Sequence, residues 1–334
     1  MTNDQQPTTY AYDVIGIGNA IVDVLAQADD AFLRDHALEK GAMTLSEEAR
    51  SDELYGAMPP GIEISGGSAA NTMAGIASLG GRGAYIGKVR ADQLGDVFAH
   101  DIRATGVAFE TPPLGRGPST ARCLIFVTPD AQRTMQTYLG ASVELTRDDV
   151  PEPLVASAQI TYLEGYLWDR PMAKDAFVRA AEIAHAAGRK VSLTLSDPFC
   201  VERHRVSFLE LVDGHVDVLF ANEREILSLY ETEDFDEALR RVRGMCDVVA
   251  LTRSERGSVV ASRDAVQEVA AAPVERVVDT TGAGDLYAAG FLYGLTHGRD
   301  LSACGRIASI CAAEVISHVG ARPETPLSAL VAGI

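Results

Sequence analysis

DTTGAGD, residues 279–285, is the stretch that decides how this chain folds. It follows the β-branched residues Val277 and Val278 and precedes an apolar helical pattern over residues 286–295. This order predicts a strand, a glycine-rich turn and then a helix. Backbone N–H groups at such a helix N-terminus are uncovered and attract an anion. The alternative is a glycine-rich turn that only opens a helix.

Asp285 distinguishes this turn from an ordinary phosphate-binding loop. A carboxylate beside an anion-binding turn repels a phosphate group, so its presence there needs a chemical reason. One reason is general base catalysis, in which the carboxylate takes a proton from a hydroxyl while the N–H groups stabilise transferring phosphoryl charge. The stretch therefore predicts the active site of a small-molecule kinase.

The length and composition of the chain fit a large α/β domain with a smaller element attached. Its 334 residues are too many for one small domain, and 47% of them are hydrophobic, which suffices for a sizeable core. No apolar run reaches the length of a membrane span, and the polar N-terminus MTNDQQPTTY lacks the regions of a signal peptide. We therefore expect a cytoplasmic protein with no membrane partner.

The net charge of −18 argues against nucleic acid as a partner, because phosphate backbones are bound by basic surfaces. Small phosphates stay open, since they need only local positive potential. The five cysteines are scattered and odd in number, which suits a reducing compartment. The seven histidines show no metal-ligand spacing.

Short β-branched segments alternate with helical patterns along most of the chain. This alternation predicts an α/β fold with a mostly parallel central sheet and helices on both of its faces. Ligands of such sheets bind beyond the carboxyl ends of the strands. The strand patterns cover residues 14–17, 159–163, 191–195, 216–220 and 248–251, and the helical patterns cover residues 69–79, 173–187, 223–230 and 286–295.

Residues 27–65 and 118–138 interrupt the alternation and predict a small β-sheet lid. The second segment has the pattern of a hairpin, with strands over residues 122–128 and 133–138 and a turn at 129–130. A lid would exclude water during phosphoryl transfer, whereas the alternative is an edge hairpin without function. The large nucleotide-binding and catalytic domain would then comprise residues 11–26, 66–117 and 139–334.

A second candidate constellation follows the first predicted strand. Gly16 and Gly18 suggest a dinucleotide-binding turn, but Ile21 occupies the third glycine position of that fingerprint, and the chain has no Gly-Lys-Ser/Thr motif. Asn19 and Asp23 lie just past this strand. There the Asp23 carboxylate could accept hydrogen bonds from a diol, and the alternative is a surface turn.

Gly66 and Gly67 open a third constellation, SGGSAANT. Two glycines let a ligand approach the backbone closely, and the small residues that follow open a helix. Asn71 lies in the first turn of this helix and can both donate and accept hydrogen bonds, which suits hydroxyl recognition. The alternative is a tight turn in which Asn71 packs locally.

Asn222 and Glu225 follow another predicted strand and share one helical face. Their oxygens suit Mg²⁺, usually through its waters, but helix capping by Asn222 with an exposed Glu225 explains the spacing equally. Thr252 and Gly257 follow the next strand and could line the phosphates or ribose of a nucleotide. A plain loop is the alternative there.

Together these motifs resemble the ribokinase-like (PfkB) family of ATP-dependent sugar and nucleoside kinases, from about Asp13 to Pro323. Residues 279–285 resemble the C-terminal signature of that family, and the glycine pair at residues 66–67 resembles its N-terminal signature. The resemblance implies a three-layer α/β/α sandwich, with ATP and Mg²⁺ as cofactors and K⁺ as an open question.

The resemblance also implies individual roles. Asp285 is the catalytic base, and the backbone of Gly282, Ala283 and Gly284 forms the anion hole. Glu225 holds Mg²⁺ through water, and Asp279 belongs to a K⁺ loop. The remaining nucleotide contacts fall to Asn222, Thr252, Gly257, Gly282, Gly284 and, from the lid, Arg133.

Within the family, the nucleoside branch fits best, because GNAIVD and GGSAAN look like adenosine kinase signatures. The implied reaction is phosphorylation of the 5′-hydroxyl of adenosine to AMP, in purine salvage. By similarity, substrate contacts come from Asn19, Asp23, Gly67, Ser68 and Asn71, and an apolar base pocket from Ile21, Met43, Met135 and Tyr166 or Leu167.

Two residues depart from this pattern. Ser254 stands where many relatives have glycine, and Arg122 lies in the lid, where an aromatic base needs apolar neighbours. A sugar kinase of the same family acting on ribose, fructose or a related sugar therefore stays open, as does a non-catalytic nucleoside or sugar sensor. Monomer and homodimer are equally compatible with the sequence.

Overall fold

The computed structural model describes residues 10–130 and 132–334. The polar N-terminal residues 1–9, and Ala131 in the predicted hairpin, lie outside the described residues. Within them, no helix has both the length and the apolar character that crossing a membrane would require. The helices are α1 Asp30–Asp35, α2 Glu48–Ala57, α3 Ser68–Ser78, α4 Gln93–Ala104, α5 Glu152–Ala156, α6 Pro171–Ala186, α7 Pro198–His215, α8 Glu223–Tyr230, α9 Phe235–Val242, α10 Ala283–Thr296, α11 Leu301–Val315 and α12 Leu327–Leu330.

A nine-stranded sheet forms the centre of the molecule. Its strands run in the order β14-β13-β12-β11-β10-β9-β1-β5-β6, and only the pairs made by β13 and β14 are antiparallel. The predicted mostly parallel α/β sheet is therefore confirmed. The strands are β1 Tyr12–Ile17, β5 Gly83–Ile86, β6 Ala108–Phe109, β9 Ala158–Glu164, β10 Lys190–Thr194, β11 Val218–Asn222, β12 Val248–Thr252, β13 Ser258–Ser262 and β14 Val266–Val269.

Helices cover both faces of this sheet, which makes the predicted three-layer sandwich. Helices α3, α4, α10 and α11 pack on one face, and α5 to α9 pack on the other. Strand β1 shows why both faces are apolar. Val14 belongs to the first core and Ile15 and Ile17 to the second, because successive side chains of a strand point to opposite faces.

A five-stranded sheet forms the second element, in the order β3-β8-β7-β2-β4. The predicted hairpin is present, since β7 and β8 pair antiparallel over residues 121–127 and 133–138. Its partners come from sequence-distant segments. The strands are β2 Ile21–Gln27, β3 Met43–Leu45, β4 Ile62–Gly66, β7 Ala121–Val127 and β8 Arg133–Tyr138.

Strand β2 corrects the predicted boundary of the small element. We assigned most of Ile21–Gln27 to the large unit, but this strand pairs with β4 and β7 of the five-stranded sheet. Its side chains alternate between buried and partly exposed, as expected for a strand with one open face. The chain thus leaves the large sheet after β1 and crosses to the small one within four residues.

Small residues bring α3 against α10. A Cβ on Gly75 would lie 2.6 Å from the Cβ of Ala289 and 2.7 Å from Cδ1 of Leu286. Only glycine at this point allows the two helices to approach so closely. This contact places the N-termini of α3 and α10, and thus two of the predicted constellations, side by side.

Candidate active site

The candidate site lies at one edge of the large sheet. Asn19 follows β1, Glu164 ends β9, Asn222 ends β11 and Thr252 ends β12. These strands are parallel, so their carboxyl ends meet at the same edge. The structure therefore brings together polar residues as distant in the chain as Asn19 and Thr252.

Asp285 occupies the first turn of α10 and is held by two side chains of α3. One carboxylate oxygen accepts a hydrogen bond from Oγ of Ser68 at 2.6 Å. The other accepts one from Nδ2 of Asn71 at 3.1 Å. The carboxylate is thus fixed in position. Ser68 and Asn71, which we predicted as substrate contacts, are the two residues that hold it.

The environment of Asp285 pulls its pKa in opposite directions. Burial raises the pKa, whereas the hydrogen bonds from Ser68 and Asn71 and the charge of Arg322 lower it, and burial prevails. A carboxylate with a raised pKa is a stronger base than a free aspartate. This direction suits a group that must accept a proton from an alcohol.

The turn before α10 has the geometry of an anion hole. Gly282 has φ of +79°, and a Cβ there would also lie 2.8 Å from Cα of Ala321, so only glycine fits. The N–H of Ala283 donates to the carbonyl of Thr280 at 3.3 Å. Among the described residues, the N–H groups of Gly282, Gly284 and Asp285 donate to no protein acceptor. They can bind an anion at the positive end of the helix.

The segment before this turn corrects one prediction. Val277 and Val278 do not form a strand, so the turn is not a strand-to-helix junction. Instead the N–H of Val278 donates to the carbonyl of Ile316 at 2.8 Å, after the end of α11. Two β-branched residues favour a strand, but pairing needs a neighbouring strand, and here the neighbour is the end of a helix.

Asp279 organises the turn rather than standing free within it. It accepts hydrogen bonds from the N–H and hydroxyl of Thr281 at 3.0 and 2.7 Å and from the N–H of Gly320 at 2.9 Å. It also forms an ion pair with Arg133 of the small sheet. Burial raises its pKa, but these hydrogen bonds and the arginine charge outweigh burial, so the pKa lies below its usual value.

These four donors do not fit the predicted potassium role of Asp279. A carboxylate offers about four lone-pair positions, and here they face two N–H groups, a hydroxyl and a guanidinium. The positive charge beside Asp279 comes from the protein itself.

Arg133 lies where the lid meets the phosphate-binding turn. Its guanidinium donates to Oγ1 of Thr281 at 2.8 Å as well as pairing with Asp279. Its Nε is buried and has no hydrogen-bond partner among the described residues. A cavity of about 250 Å³ lies against Arg133 and residues 277–281, with Val127 and Val319 also in its wall. An unpaired buried donor beside a cavity fits an anionic ligand.

Asp23 projects from β2 into the same cleft. Glycine is required at residue 66 because a Cβ there would overlap the Asp23 carboxylate. Burial raises the pKa of Asp23 to about 6, the charges of Arg322 and Arg133 oppose the rise, and the neighbouring Asp285 adds to it. Asp23 and Asp285 therefore lie close enough for their charges to interact, in one cleft.

Gly67, the second glycine of the turn before α3, is required by its backbone conformation. Its φ is +96°, and a Cβ there would overlap the carbonyl oxygen of Asn19. The Asn19 side chain is buried, donates to Glu164 at 2.8 Å and accepts from Ser142 at 2.9 Å. With both ends of its amide engaged, the predicted contact of Asn19 with substrate does not fit this geometry.

Glu164 is a site residue that the sequence did not reveal. Its side chain is 1% exposed and accepts hydrogen bonds from Asn19 and, at 2.8 Å, from the N–H of Ala69 in the first turn of α3. Burial raises its pKa to about 7, against the effect of these hydrogen bonds. The sequence offered one indication of its role, namely a charged residue at the end of a strand that was predicted to be buried on both faces.

Arg322 is the second missed residue. Its Nε donates to Oδ1 of Asn71 at 2.8 Å, and its terminal nitrogen donates to the carbonyl and hydroxyl of Ser65 at 2.7 and 3.0 Å. It lies in the irregular segment after α11, where no periodicity marks a residue as buried. The Asn71 amide is thus shared between Arg322 and Asp285.

The geometry has counterparts among known proteins. The model of the pfkB family of carbohydrate kinases matches residues 57–327 of this chain. The chain belongs to the pfkB carbohydrate kinase family. It is therefore a phosphotransferase with an alcohol group as acceptor.

Two solved structures from this family are similar over almost the whole chain. The adenosine kinase of Sinorhizobium meliloti is 55% identical, with a TM-score of 0.88, and the match covers 96% of this chain and 98% of that one. A probable sugar kinase of Rhizobium etli is 52% identical, with a TM-score of 0.89 and the same coverage. The adenosine kinase of Saccharomyces cerevisiae is 26% identical over 330 residues, 92% of this chain and 95% of its own.

The pfkB-family motif Asn222-x-x-Glu225 forms a capping box at the start of α8. Asn222 accepts from the N–H of Glu225 at 2.9 Å, and the N–H of Asn222 donates to the Glu225 carboxylate at 2.9 Å. The alternative of an exposed Glu225 is wrong, because this residue is 5% exposed. Burial raises its pKa to about 7, the hydrogen bond from Asn222 opposes the rise, and the charge of Asp197 adds to it.

The residues at this edge fit a Mg²⁺ ion that arrives with a nucleotide. The Glu225 carboxylate is used by Asn222 but keeps lone pairs for a metal-bound water. No group of three or more histidine, cysteine or acidic residues able to hold a metal occurs in the described part of the chain. Phosphate oxygens and water must then complete the coordination shell of the ion.

Gly257 and Ser254 shape the loop after β12. Gly257 has φ of +83°, and a Cβ there would overlap the carbonyl of Val269 in β14, so packing alone requires glycine. Ser254, where many relatives have glycine, has φ of +54° and keeps the left-handed conformation without glycine. Thr252 ends β12 at the same edge, half-buried.

The predicted apolar pocket is present only in part. Ile21 and Met135 lie on the same face of the small sheet as Asp23, and Met43 at its edge is 52% exposed. Tyr166 is 41% exposed at the end of β9, whereas Leu167 is buried in the core and cannot line the pocket. The sequence analysis missed Phe199, which is 66% exposed in the first turn of α7, three residues after Ser196, whose hydroxyl accepts from the N–H of Tyr166.

Arg122 does not lie in the cleft. Its partners are Ser51 and Asp52 of α2, and its guanidinium lies over the rings of Tyr55 and Tyr138. Because side chains alternate along β7, Arg122 points away from the face that carries Cys123 and Asp23. Arg122, which in the sequence favoured a more polar substrate, therefore lies on the opposite face of the small sheet and does not contact the cleft.

Proposed function

We propose that this protein transfers the γ-phosphoryl group of ATP to the 5′-hydroxyl of adenosine, which yields AMP and ADP. The observation that carries the proposal is the Asp285 carboxylate, fixed by Ser68 and Asn71 beside three unpaired N–H groups of a helix N-terminus. This juxtaposes a base for the acceptor hydroxyl with an anion hole for the phosphoryl group.

Asp285 orients the acceptor hydroxyl and takes its proton. Phosphoryl transfer has a loose transition state, so positioning and charge stabilisation supply most of the rate. The N–H groups of Gly282, Gly284 and Asp285 stabilise the equatorial oxygens of the transferring group. When bound, Mg²⁺ neutralises charge on the ATP phosphates, with Glu225 reaching it through water.

Arg133 adds a cation from the lid. Its Nε, which has no partner among the described residues, can donate to a phosphate oxygen while Nη1 contacts both Thr281 and Asp279. The lid and the anion hole are thus joined by one side chain. We expect this contact to exclude water from the transferring group.

Asp23 provides the ribose contacts, because both ends of the Asn71 amide are already engaged by Asp285 and Arg322. The Asp23 carboxylate, with a pKa of about 6, is ionised at neutral pH and accepts hydrogen bonds from vicinal hydroxyls. Gly67 lets the sugar approach the backbone at the start of α3. The cleft thus recognises a diol at one end and holds the reactive hydroxyl at the other.

The base would lie between the small sheet and the start of α7. Ile21 and Met135 of the small sheet would supply apolar surface on one side, and the exposed rings of Phe199 and Tyr166 would supply it on the other. Exposed aromatic rings at a cleft are favourable partners for a purine ring. The orientation of Arg122 away from this cleft removes the main objection to an aromatic base.

A sugar kinase is the second candidate. Its support is the 52% identity with a probable sugar kinase, which is close to the identity with an adenosine kinase. A free sugar would use Asp23 and Asp285 and leave the aromatic side of the cleft unused. The two candidates differ only in the acceptor.

The acceptor panel decides between them. ADP release from Mg-ATP is measured with adenosine, inosine, guanosine, ribose and fructose, with Asp285→Asn as the blank for each acceptor. A response to adenosine that greatly exceeds the others supports the proposal. A response to free sugars alone overturns the nucleoside assignment, and silence throughout, with nucleoside binding by calorimetry, points to a sensor.

A further inference from the structure

Arg322 connects the first turn of α3 to strand β4 and helix α4. It contacts Asn71 of α3 and, through Ser65, the carboxylate of Asp101 in α4, which accepts from the hydroxyl and N–H of Ser65 at 2.5 and 2.8 Å. The mechanism proposed above gives it no part. A half-buried arginine that donates to Asn71, the residue that itself donates to the catalytic carboxylate, needs an explanation.

We propose that Arg322 is a positioning residue, whose guanidinium fixes the Asn71 amide against Asp285 and balances the two carboxylates of the cleft. This inference rests on the proposed role of Asp285 as the base. It assigns to Arg322 a function that touches neither the substrate nor the phosphates directly.

The amide of Asn71 shows why a donor is needed there. An amide has an oxygen that accepts and a nitrogen that donates, and rotation by 180° exchanges them. Because Arg322 can only donate, the oxygen of Asn71 must face it, and the nitrogen must face Asp285. Without Arg322 the amide can rotate and present its oxygen to the carboxylate, which would push Asp285 out of position.

Charge gives the second argument. Asp285 and Asp23 lie in one cleft, and two nearby carboxylates resist simultaneous ionisation. Arg133 is engaged by Asp279, which leaves Arg322 as the cation whose charge lowers the pKa of both groups most directly. The titratable groups that face Asp285 from the packed elements are Asp23 of β2, Tyr162 and Glu164 of β9, Tyr166 and Arg322.

The test compares Arg322→Gln and Arg322→Lys in pH profiles of kcat and KM between pH 5.5 and 9. For Arg322→Gln we expect kcat at pH 7 to fall at least ~10-fold, with the acidic limb moved up by about one pH unit. Arg322→Lys should return the limb toward its original pH but recover kcat only in part, because one ammonium cannot reproduce the planar fork. Arg82→Gln is the matched control, since Arg82 pairs with Asp13 at the opposite edge of the sheet.

An unmoved acidic limb in Arg322→Gln, or equal behaviour of the lysine and glutamine variants, would overturn the inference. A double-mutant cycle separates it from the proposed function. In denaturant unfolding at pH 8, Arg322→Gln should shift the midpoint less in an Asp285→Asn background than in the wild type, because no unpaired charge is left at residue 285. If the midpoint shifts of the two substitutions simply add, Arg322 and Asp285 are not coupled and the inference is wrong. If the shifts do not add but the protein is inactive toward every acceptor, only the proposed function is refuted.

Discussion

Glu164 allows a sharp test of the site's electrostatics. Its carboxyl has a pKa of about 7 in the folded protein, raised by burial from a usual value of 4.5. Between these values the folded state holds a proton that the unfolded chain has lost. The stability that Glu164 contributes is therefore fully present below about pH 4.5 and is lost as the pH rises through about 7.

The magnitude follows from the two pKa values. A pKa that lies about 2.5 above its unfolded value corresponds to about 3 kcal/mol at ~1.4 kcal/mol per pKa unit. About 2.5 kcal/mol of this change falls between pH 5 and pH 8. The side chain is 1% exposed, so solvent screening does not reduce it appreciably.

Glu164→Gln replaces the ionisable carboxyl group with an amide that does not titrate, while the size and most of the polarity of the side chain are kept. Unfolding free energies of the wild type and the variant are measured by guanidinium titration at half-unit steps from pH 5 to pH 8. We expect the difference, wild type minus variant, to fall by about 2.5 kcal/mol over this range. Glu210→Gln, at an exposed position of α7, corrects for pH effects common to the whole protein.

A difference that stays constant across the range would refute the reasoning, since it would mean that Glu164 ionises alike in the folded and unfolded states. A difference that rises with pH would mean that hydrogen bonds from Asn19 and Ala69 prevail over burial.

Three further predictions concern the site and its loops. Asp285→Asn should lower kcat by at least ~10³-fold while adenosine affinity, by calorimetry, changes less than about fivefold, and near-normal turnover would contradict its role as base. Exchange of K⁺ for Na⁺ should leave kcat within about twofold, because Arg133 already supplies the cation at Asp279; a rate that follows K⁺ would show that the ion pair opens. Ser254→Gly should raise the free energy of unfolding by up to about 1 kcal/mol, since the serine has φ of +54°, and a destabilised variant would argue against strain there.

The parts of the fold that the sequence predicted correctly are those in which a local pattern is sufficient. The hairpin of β7 and β8 is contiguous, and its turn residues identify it without reference to any other segment. Helix α10 begins two residues before Asp285, as the glycines of the turn require. In both cases the residues that determine the structure are neighbours in the chain.

The errors arose where pairing partners are distant. Val277 and Val278 have strand propensity, yet their backbone partner is the end of α11. Strand β2 follows β1 almost directly, but its partners β4 and β7 come from residues 62–66 and 121–127. Propensity describes what a segment tolerates, while the sheet to which it belongs depends on strands far away in the chain.

The side of the small sheet on which a lid residue lies could not be predicted from that residue alone. Arg122 was interpreted as a polar residue in the lid that argued against an aromatic base. Register decides the matter: Asp23 lies opposite Cys123, so Arg122 must point to the other side, where α2 receives it.

Charge counting could likewise have indicated Arg322. Once Asp23 and Asp285 are predicted in one cleft, physical chemistry demands a cation nearby, because two carboxylates cannot otherwise both ionise at neutral pH. The sequence predicted Arg133 as a nucleotide contact, and the structure shows that Asp279 already engages it. The requirement for a second arginine is thus a consequence of the motif itself, and only its location, in a segment without periodicity, depended on the tertiary structure.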